Sequence, residues 1–157
     1  MGINLDFFAG SSHFYLGTFV VGLLSGLVPV INIEVYLVAV GSLSGASPVP
    51  VVLLTTLGQM LSKCILYLSG QGFVKLSLWP SWKSLERTRE SFDRHKSRTE
   101  GLVFISALTG IPPFYALSVM AGVMRIPILR FLVPGTLGRA LRFSVVLWAS
   151  RFLKTAF

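Results

Sequence analysis

The chain has 157 residues, 53% of them hydrophobic and only 13% charged. A soluble domain carries roughly twice that charged fraction, so the composition argues against a soluble protein and for a single integral membrane domain, residues 1–157. The net charge of +8 sets 14 Lys and Arg against Asp6, Glu34, Glu86, Glu90, Asp93 and Glu100; in a membrane chain it reflects anionic headgroups and insertion bias rather than nucleic acid.

The first residues, Met1–His13, hold no Lys or Arg and no small-residue cleavage pattern, so they do not read as a cleaved signal peptide. An apolar block follows from Phe14 to Leu43, interrupted at Pro29-Val-Ile-Asn-Ile-Glu34. Pro29 and Asn32 are the expected breaks. Helix over Phe14–Val28 would extend only about 22 Å, short of a ~30 Å hydrocarbon layer, so the block reads as a re-entrant helical hairpin. Glu34 within it is expensive, about 2.5–3.5 kcal/mol on insertion scales, which marks it as a candidate functional residue.

Pro48–Gly70 is continuous and long enough to cross. Thr56, Gln59, Lys63 and Tyr67 recur at spacings of three and four, which predicts one polar face, with Leu57, Leu61, Leu66 and Leu68 toward lipid. Lys63 lies too deep to snorkel easily, so it should face protein or water. Cys64 is the single cysteine, which excludes an intrachain disulfide or a thiolate cluster.

The linker over 75–100 is basic, carrying Lys75, Lys83, Arg87, Arg89, Arg94, Lys96 and Arg98, and is expected on the cytoplasmic side. It reads as an amphipathic helix opening at Pro80 and Ser81, with Trp82, Leu85 and Phe92 on one face and Trp79 and Trp82 at headgroup level. His13 and His95 have no partner pattern and read as surface residues.

A second broken block, Leu102–Met124, is interrupted at Pro112-Pro113, and a last one, Pro127–Ser150, is long enough to cross. Arg139 and Arg142 share a face there, and Gly135 and Gly138 would admit another backbone. The halves echo each other. Gly26-Leu-Val-Pro29 resembles Gly110-Ile-Pro-Pro113, each followed by small residues at Gly41 and at Ala121-Gly122, and Lys63 and Arg142 stand equally far from the prolines that open the long segments. The fold expected is therefore all-α, with two inverted repeats (about 14–70 and 101–150), each a re-entrant hairpin plus a transmembrane helix, joined by the linker helix.

In the simplest arrangement Glu34 would neutralise Lys63 and organise the bundle. One Glu cannot neutralise Lys63, Arg139 and Arg142 together, and the second hairpin carries Ser118 where the first has Glu34. Excess positive charge in a polar cavity favours an anion, and a lipid phosphate is the anion at hand. Half-helix amino termini would add to the attraction. The substrate-binding candidates are Glu34, Gln59, Lys63, Tyr67, Arg139 and Arg142. No acid pair, metal-ligand cluster, activated nucleophile or phosphate-cradling loop emerges, since Ser62 points to a different helix face from Lys63; no enzyme, metal or cofactor is expected. Three functions fit: movement of a phosphate-headed lipid between leaflets, proton- or ion-coupled transport of a small solute with Glu34 as the coupling acid, or a non-transporting assembly factor docked through its basic linker.

The Pro-x-x-x-x-Glu hairpin, Gly58-Gln-Met-Leu-Ser-Lys-Cys-Ile-Leu-Tyr67-Leu-Ser-Gly70 and Gly110-Ile-Pro-Pro-Phe-Tyr-Ala-Leu-Ser-Val-Met-Ala-Gly122 resemble the DedA superfamily, also called the VTT or SNARE-associated domain family, and within it the small YqaA-like branch. The resemblance covers about Phe14 to Trp148. It implies two oppositely oriented re-entrant hairpins in a cell membrane, the inner one in bacteria, and transport of polyprenyl phosphate or phospholipid. Glu34 matches the family's hairpin glutamate. Gln59 stands where many members are acidic, and Thr109–Tyr115 lacks the two arginines common in the second hairpin, a charge that Arg139 and Arg142 would supply instead. The chain also lacks the extra spans of longer members, leaving apolar surface for a homodimer to cover, with Gly22-x-x-x-Gly26 as a contact.

Overall fold

A computed structural model describes residues 12–28, 30–43, 46–75 and 96–156. The break at Pro29 itself, and the linker expectations over residues 76–95, lie outside the described residues. Among those described, six helices form and no strand: α1 (Ser12–Leu27), α2 (Ile33–Leu43), α3 (Pro48–Lys75), α4 (Lys96–Thr109), α5 (Phe114–Val123) and α6 (Ile128–Ala156).

The helix boundaries follow local chemistry. α1 and α2, of 16 and 11 residues, amount to about 24 and 16 Å, and α4 and α5, of 14 and 10 residues, to about 21 and 15 Å. Over the described residues none of the four is long enough to cross a bilayer. Each pair is in contact across its break. The first break is closed by the Ile31 amide donating to the Val28 carbonyl at 3.1 Å. The second falls at residues 110–113, where Gly110 takes a φ of 83° that only glycine adopts freely, and the Ser106 hydroxyl donates to the Pro112 carbonyl at 2.6 Å. α4 begins at Lys96, so the charged residues before Leu102 belong to the same helix as the apolar arm.

α3 over Pro48–Gly72 is, among the described helices, the one both long and apolar enough to cross a membrane. α6 has the length expected of Pro127–Ser150, at 29 residues, while Arg130, Arg139, Arg142 and Arg151 lower its apolarity.

The chain divides into two compact units, residues 1–61 with 140–157, and residues 62–139. In the first, α1 and α2 pack with the amino-terminal half of α3 and the carboxyl-terminal half of α6. Ile33, Leu37, Val40, Ala46, Val51, Val52, Phe143 and Leu147 form its core. α1 crosses α3 at backbone contact: a Cβ on Gly22 would sit 2.8 Å from the Thr55 carbonyl oxygen, and one on Gly58 would collide with the backbone of Phe19 and Leu23. Gly22 therefore serves a contact inside its own chain. The Thr18 and Tyr36 hydroxyls, 2.7 Å apart, tie α1 to α2, and Arg151 caps the Ala46 carbonyl.

In the second unit, α4 and α5 pack with the carboxyl-terminal half of α3 and the amino-terminal half of α6. Val103, Ala107, Phe114, Ala121, Phe131 and Tyr67 are buried there. α5 lies against α3 so closely that a Cβ on Gly122 would enter the Tyr67 carbonyl, and Gly138 of α6 meets the Phe104 carbonyl at 2.7 Å in the same sense. After α5, Arg125 takes φ 53°, with its amide on Gly122 O and that of Ile126 on Ala121 O, both at 3.0 Å. This is a Schellman stop, with arginine where glycine is usual.

Gly58→Ala and Gly122→Ala should each destabilise the detergent-solubilised protein by about 1–3 kcal/mol, because the opposing atoms are backbone and cannot move aside. Gly17→Ala and Gly72→Ala, whose added Cβ meets nothing within 4 Å, should leave the melting temperature unchanged or raise it. Thermal melts of the four variants check this.

Candidate functional site

The polar face read from spacing on α3 is present and buried: Thr56 is 3% exposed, Gln59 4%, Lys63 4% and Tyr67 3%, while Leu57, Leu61 and Leu68 are exposed. The first two lie in the first unit and the last two in the second, so they work with different neighbours.

In the first unit Asn32, exposed at the break, is the amino-terminal cap of α2; its Oδ1 accepts the Glu34 amide at 2.9 Å. The cap sets the first turn of α2, and with it the position of the Glu34 carboxylate. Arg142 of α6 reaches that carboxylate with two donors, Nε at 2.7 Å and Nη2, both on Oε1. The side chains keep 22% and 34% of their exposure, Arg142 and Glu34 respectively. Gln59 donates from Nε2 to the Ser25 hydroxyl at 2.9 Å, and Ser25 donates in turn to the Gly22 carbonyl. Gln59 Oε1 and Thr56 Oγ1 are buried and accept or donate no hydrogen bond among the described residues.

In the second unit Lys63 and Arg139 are electrostatic neighbours of like sign. Arg139 lies over the ring of Phe114, with Cζ 5.0 Å from the centroid. Phe114 stacks on Phe131 at 5.6 Å and Phe131 on Tyr67 at 5.9 Å, each pair inclined by 18°. The Tyr67 hydroxyl donates to the Ile126 carbonyl at 2.5 Å and accepts from Gln71 at 2.9 Å. The sequence holds no acidic residue between Glu34 and Glu86 and none after Glu100. Of the helices that build this unit, α3, α5 and α6 carry no acidic residue, and α4 carries Glu100.

The pairing of the sequence candidates differs from the simplest expectation. Glu34 pairs with Arg142, and Lys63 associates with Arg139. Ser25, Phe114 and Phe131 were not singled out as site residues. Phe131 stands two turns from Arg139 on α6, a spacing that would have revealed a shared face; Ser25 lies three residues from Gly22 on the small-residue side of α1. Phe114 gave no local signal beyond following Pro113.

Helices throughout the described residues, short broken arms and one apolar helix long enough to cross are compatible with a membrane protein. The family model for the VTT domain matches residues 28–152. The chain belongs to the VTT-domain family, the DedA family of membrane proteins. No curated protein and no solved structure gave a match.

A double-mutant cycle tests the ion pair. Glu34→Gln and Arg142→Gln should each destabilise, and the double variant should recover about 2 kcal/mol relative to their sum, the scale of a hydrogen bond to a charged group. Simple additivity in denaturation from mixed micelles would contradict it.

Proposed function

We propose that this protein moves a lipid with an anionic phosphate headgroup, a polyprenyl phosphate or a phospholipid, between the leaflets of a cell membrane. The observation that supports the reading is the burial of Lys63 near Arg139, two cationic side chains of one unit in a chain of the VTT-domain family. A phosphate is the anion such a pair suits, bound through forked, charge-assisted hydrogen bonds.

The architecture that suits this function is a repeat. Burial along α1 and α2, at Thr18, Gly22, Ser25, Gly26, Ile33, Leu37, Val40 and Gly41, recurs at one constant offset along α4 and α5, at Thr99, Val103, Ser106, Ala107, Phe114, Ser118, Ala121 and Gly122. In the long helices Gly58, Lys63, Tyr67 and Gly70 recur as Gly138, Phe143, Leu147 and Ser150. This register supports two repeats of a re-entrant hairpin and a crossing helix, and it adjusts the pairing drawn from the prolines. Phe143 rather than Arg142 answers Lys63, and Tyr115 rather than Ser118 answers Glu34. With α3 and α6 both crossing and each hairpin returning to its own face, the repeats are inverted by topology, and the basic linker would face the cytoplasm.

In liposomes, the purified protein should speed leaflet exchange of a fluorescent phosphatidic acid over empty vesicles, and Lys63→Gln or Arg139→Gln should slow it roughly tenfold, the loss of one charge-assisted hydrogen bond. Radiolabelled inorganic phosphate should not enter. Exchange no faster than in empty vesicles, or phosphate entry without lipid movement, would overturn the proposal.

A further inference from the structure

Thr18, Thr55, Ser118 and Ser144 each donate to the carbonyl four residues earlier in their own helix. Thr56, next to Thr55 on α3 and 3% exposed, does not. Its Oγ1 meets no hydrogen-bond partner among the described residues. One turn on, Gln59 is 4% exposed and presents a second such atom, Oε1. The neighbour of Gln59 fixes which amide atom is left over. Ser25 commits its single proton to the Gly22 carbonyl, so toward Gln59 it can only accept, and the amide must turn Nε2 to it. Thr56 and Gln59 stand about 12 and 17 Å from Pro48 along the helix able to cross. At that depth a buried polar atom without a partner is costly.

We propose that Thr56 and Gln59 hold a buried water molecule between them, a binding site within the first unit. Residues three apart on a helix carry Cβ atoms about 5–6 Å apart on one face, a gap that one water with two hydrogen bonds spans. The chemistry of the two oxygens selects the occupant. An amide oxygen only accepts, whereas a hydroxyl has a proton to give as well as lone pairs. Water donates to Gln59 Oε1 and accepts the Thr56 proton, so one molecule satisfies both. A monovalent cation would engage both oxygens but leave the Thr56 proton without an acceptor. It would also lack a countercharge, since α1 and α3 carry no acidic residue and Glu34 of α2 is engaged by Arg142. The water completes a chain from the Gly22 carbonyl through Ser25 and Gln59 to Thr56, which helps to hold α1 on α3 where Gly22 and Gly58 let them meet. All of these residues belong to the first unit, so the site is independent of what the second unit binds.

The test uses the full-length protein in detergent. Valine matches threonine in shape but has no hydroxyl, so the sign of the effect of Thr56→Val is informative. Loss of a hydroxyl that holds a water should lower the melting temperature by about 3 °C. Loss of a buried hydroxyl that holds nothing should raise it. In a Gln59→Leu background the water has lost its other anchor, so Thr56→Val should there leave the melting temperature unchanged or raise it. An equal fall in both backgrounds overturns the shared water. Isotopic nitrogen labelling of glutamine gives a reading on the wild type, whose only glutamines are Gln59 and Gln71. Magnetisation should pass from water to the Gln59 side-chain amide with the sign of a long-lived contact, and Thr56→Val should abolish that transfer. A melting temperature unchanged or raised by Thr56→Val alone, or no transfer in the wild type, overturns the proposal. Stabilisation of the wild type by sodium chloride over choline chloride, lost in Thr56→Val, overturns it in favour of a cation.

Discussion

A bilayer core offers an ionised side chain neither water nor counterion, and that constraint orders the interior of this protein. An isolated charge there costs several kcal/mol unless protein groups replace the water it has lost. The chain meets the demand in two ways. In the first unit an acid is set opposite an arginine, the acid placed by a helix cap and the arginine by a long helix. In the second, Lys63 and Arg139 lie near each other and the ring face of Phe114 supports the arginine. The lipid-phosphate reading centres on that pair.

These side chains meet only because the helices approach more closely than ordinary residues permit. Gly58 in the first unit and Gly122 in the second each face backbone, with no room for a methyl group. Between lipid-facing helices there is little hydrophobic drive for association, so close van der Waals contact and hydrogen bonds such as Gln59 to Ser25 do more of the holding. Short arms follow from the same economy. An arm of ten to sixteen residues cannot span, but it can place its broken end, with cap or proline, beside a long helix.

Much of this was legible in the sequence, because the signals are local. Pro112-Pro113, Gly110 and Asn32 stop or start helices by their own backbone and side-chain chemistry. The buried face of Thr56, Gln59, Lys63 and Tyr67 follows from helical period alone. What was not legible is long-range. Glu34 and Arg142 are far apart in the chain, and nothing local distinguishes Arg142 from Lys63 as the partner of the acid. The aromatic column joins three helices, and Phe114 gives no sign of its neighbours before the helices pack. Gly22-x-x-x-Gly26 fits contact with a second chain as well as with α3, and Gly22 does meet α3 at Thr55. Aligning the halves on their prolines also misses by one position in the long helices, because the prolines mark loop geometry whereas burial marks packing.

The central claim is that a phosphate-headed lipid occupies the cationic site of the second unit. Native mass spectrometry of the full-length protein, released from mild detergent after purification from membranes, tests it most directly. A bound lipid whose fragments include a phosphate headgroup, retained by the wild type and lost from the Lys63→Gln/Arg139→Gln double variant, is the result expected. Wild-type protein free of lipid, or the same lipid retained by the folded double variant, would contradict the claim.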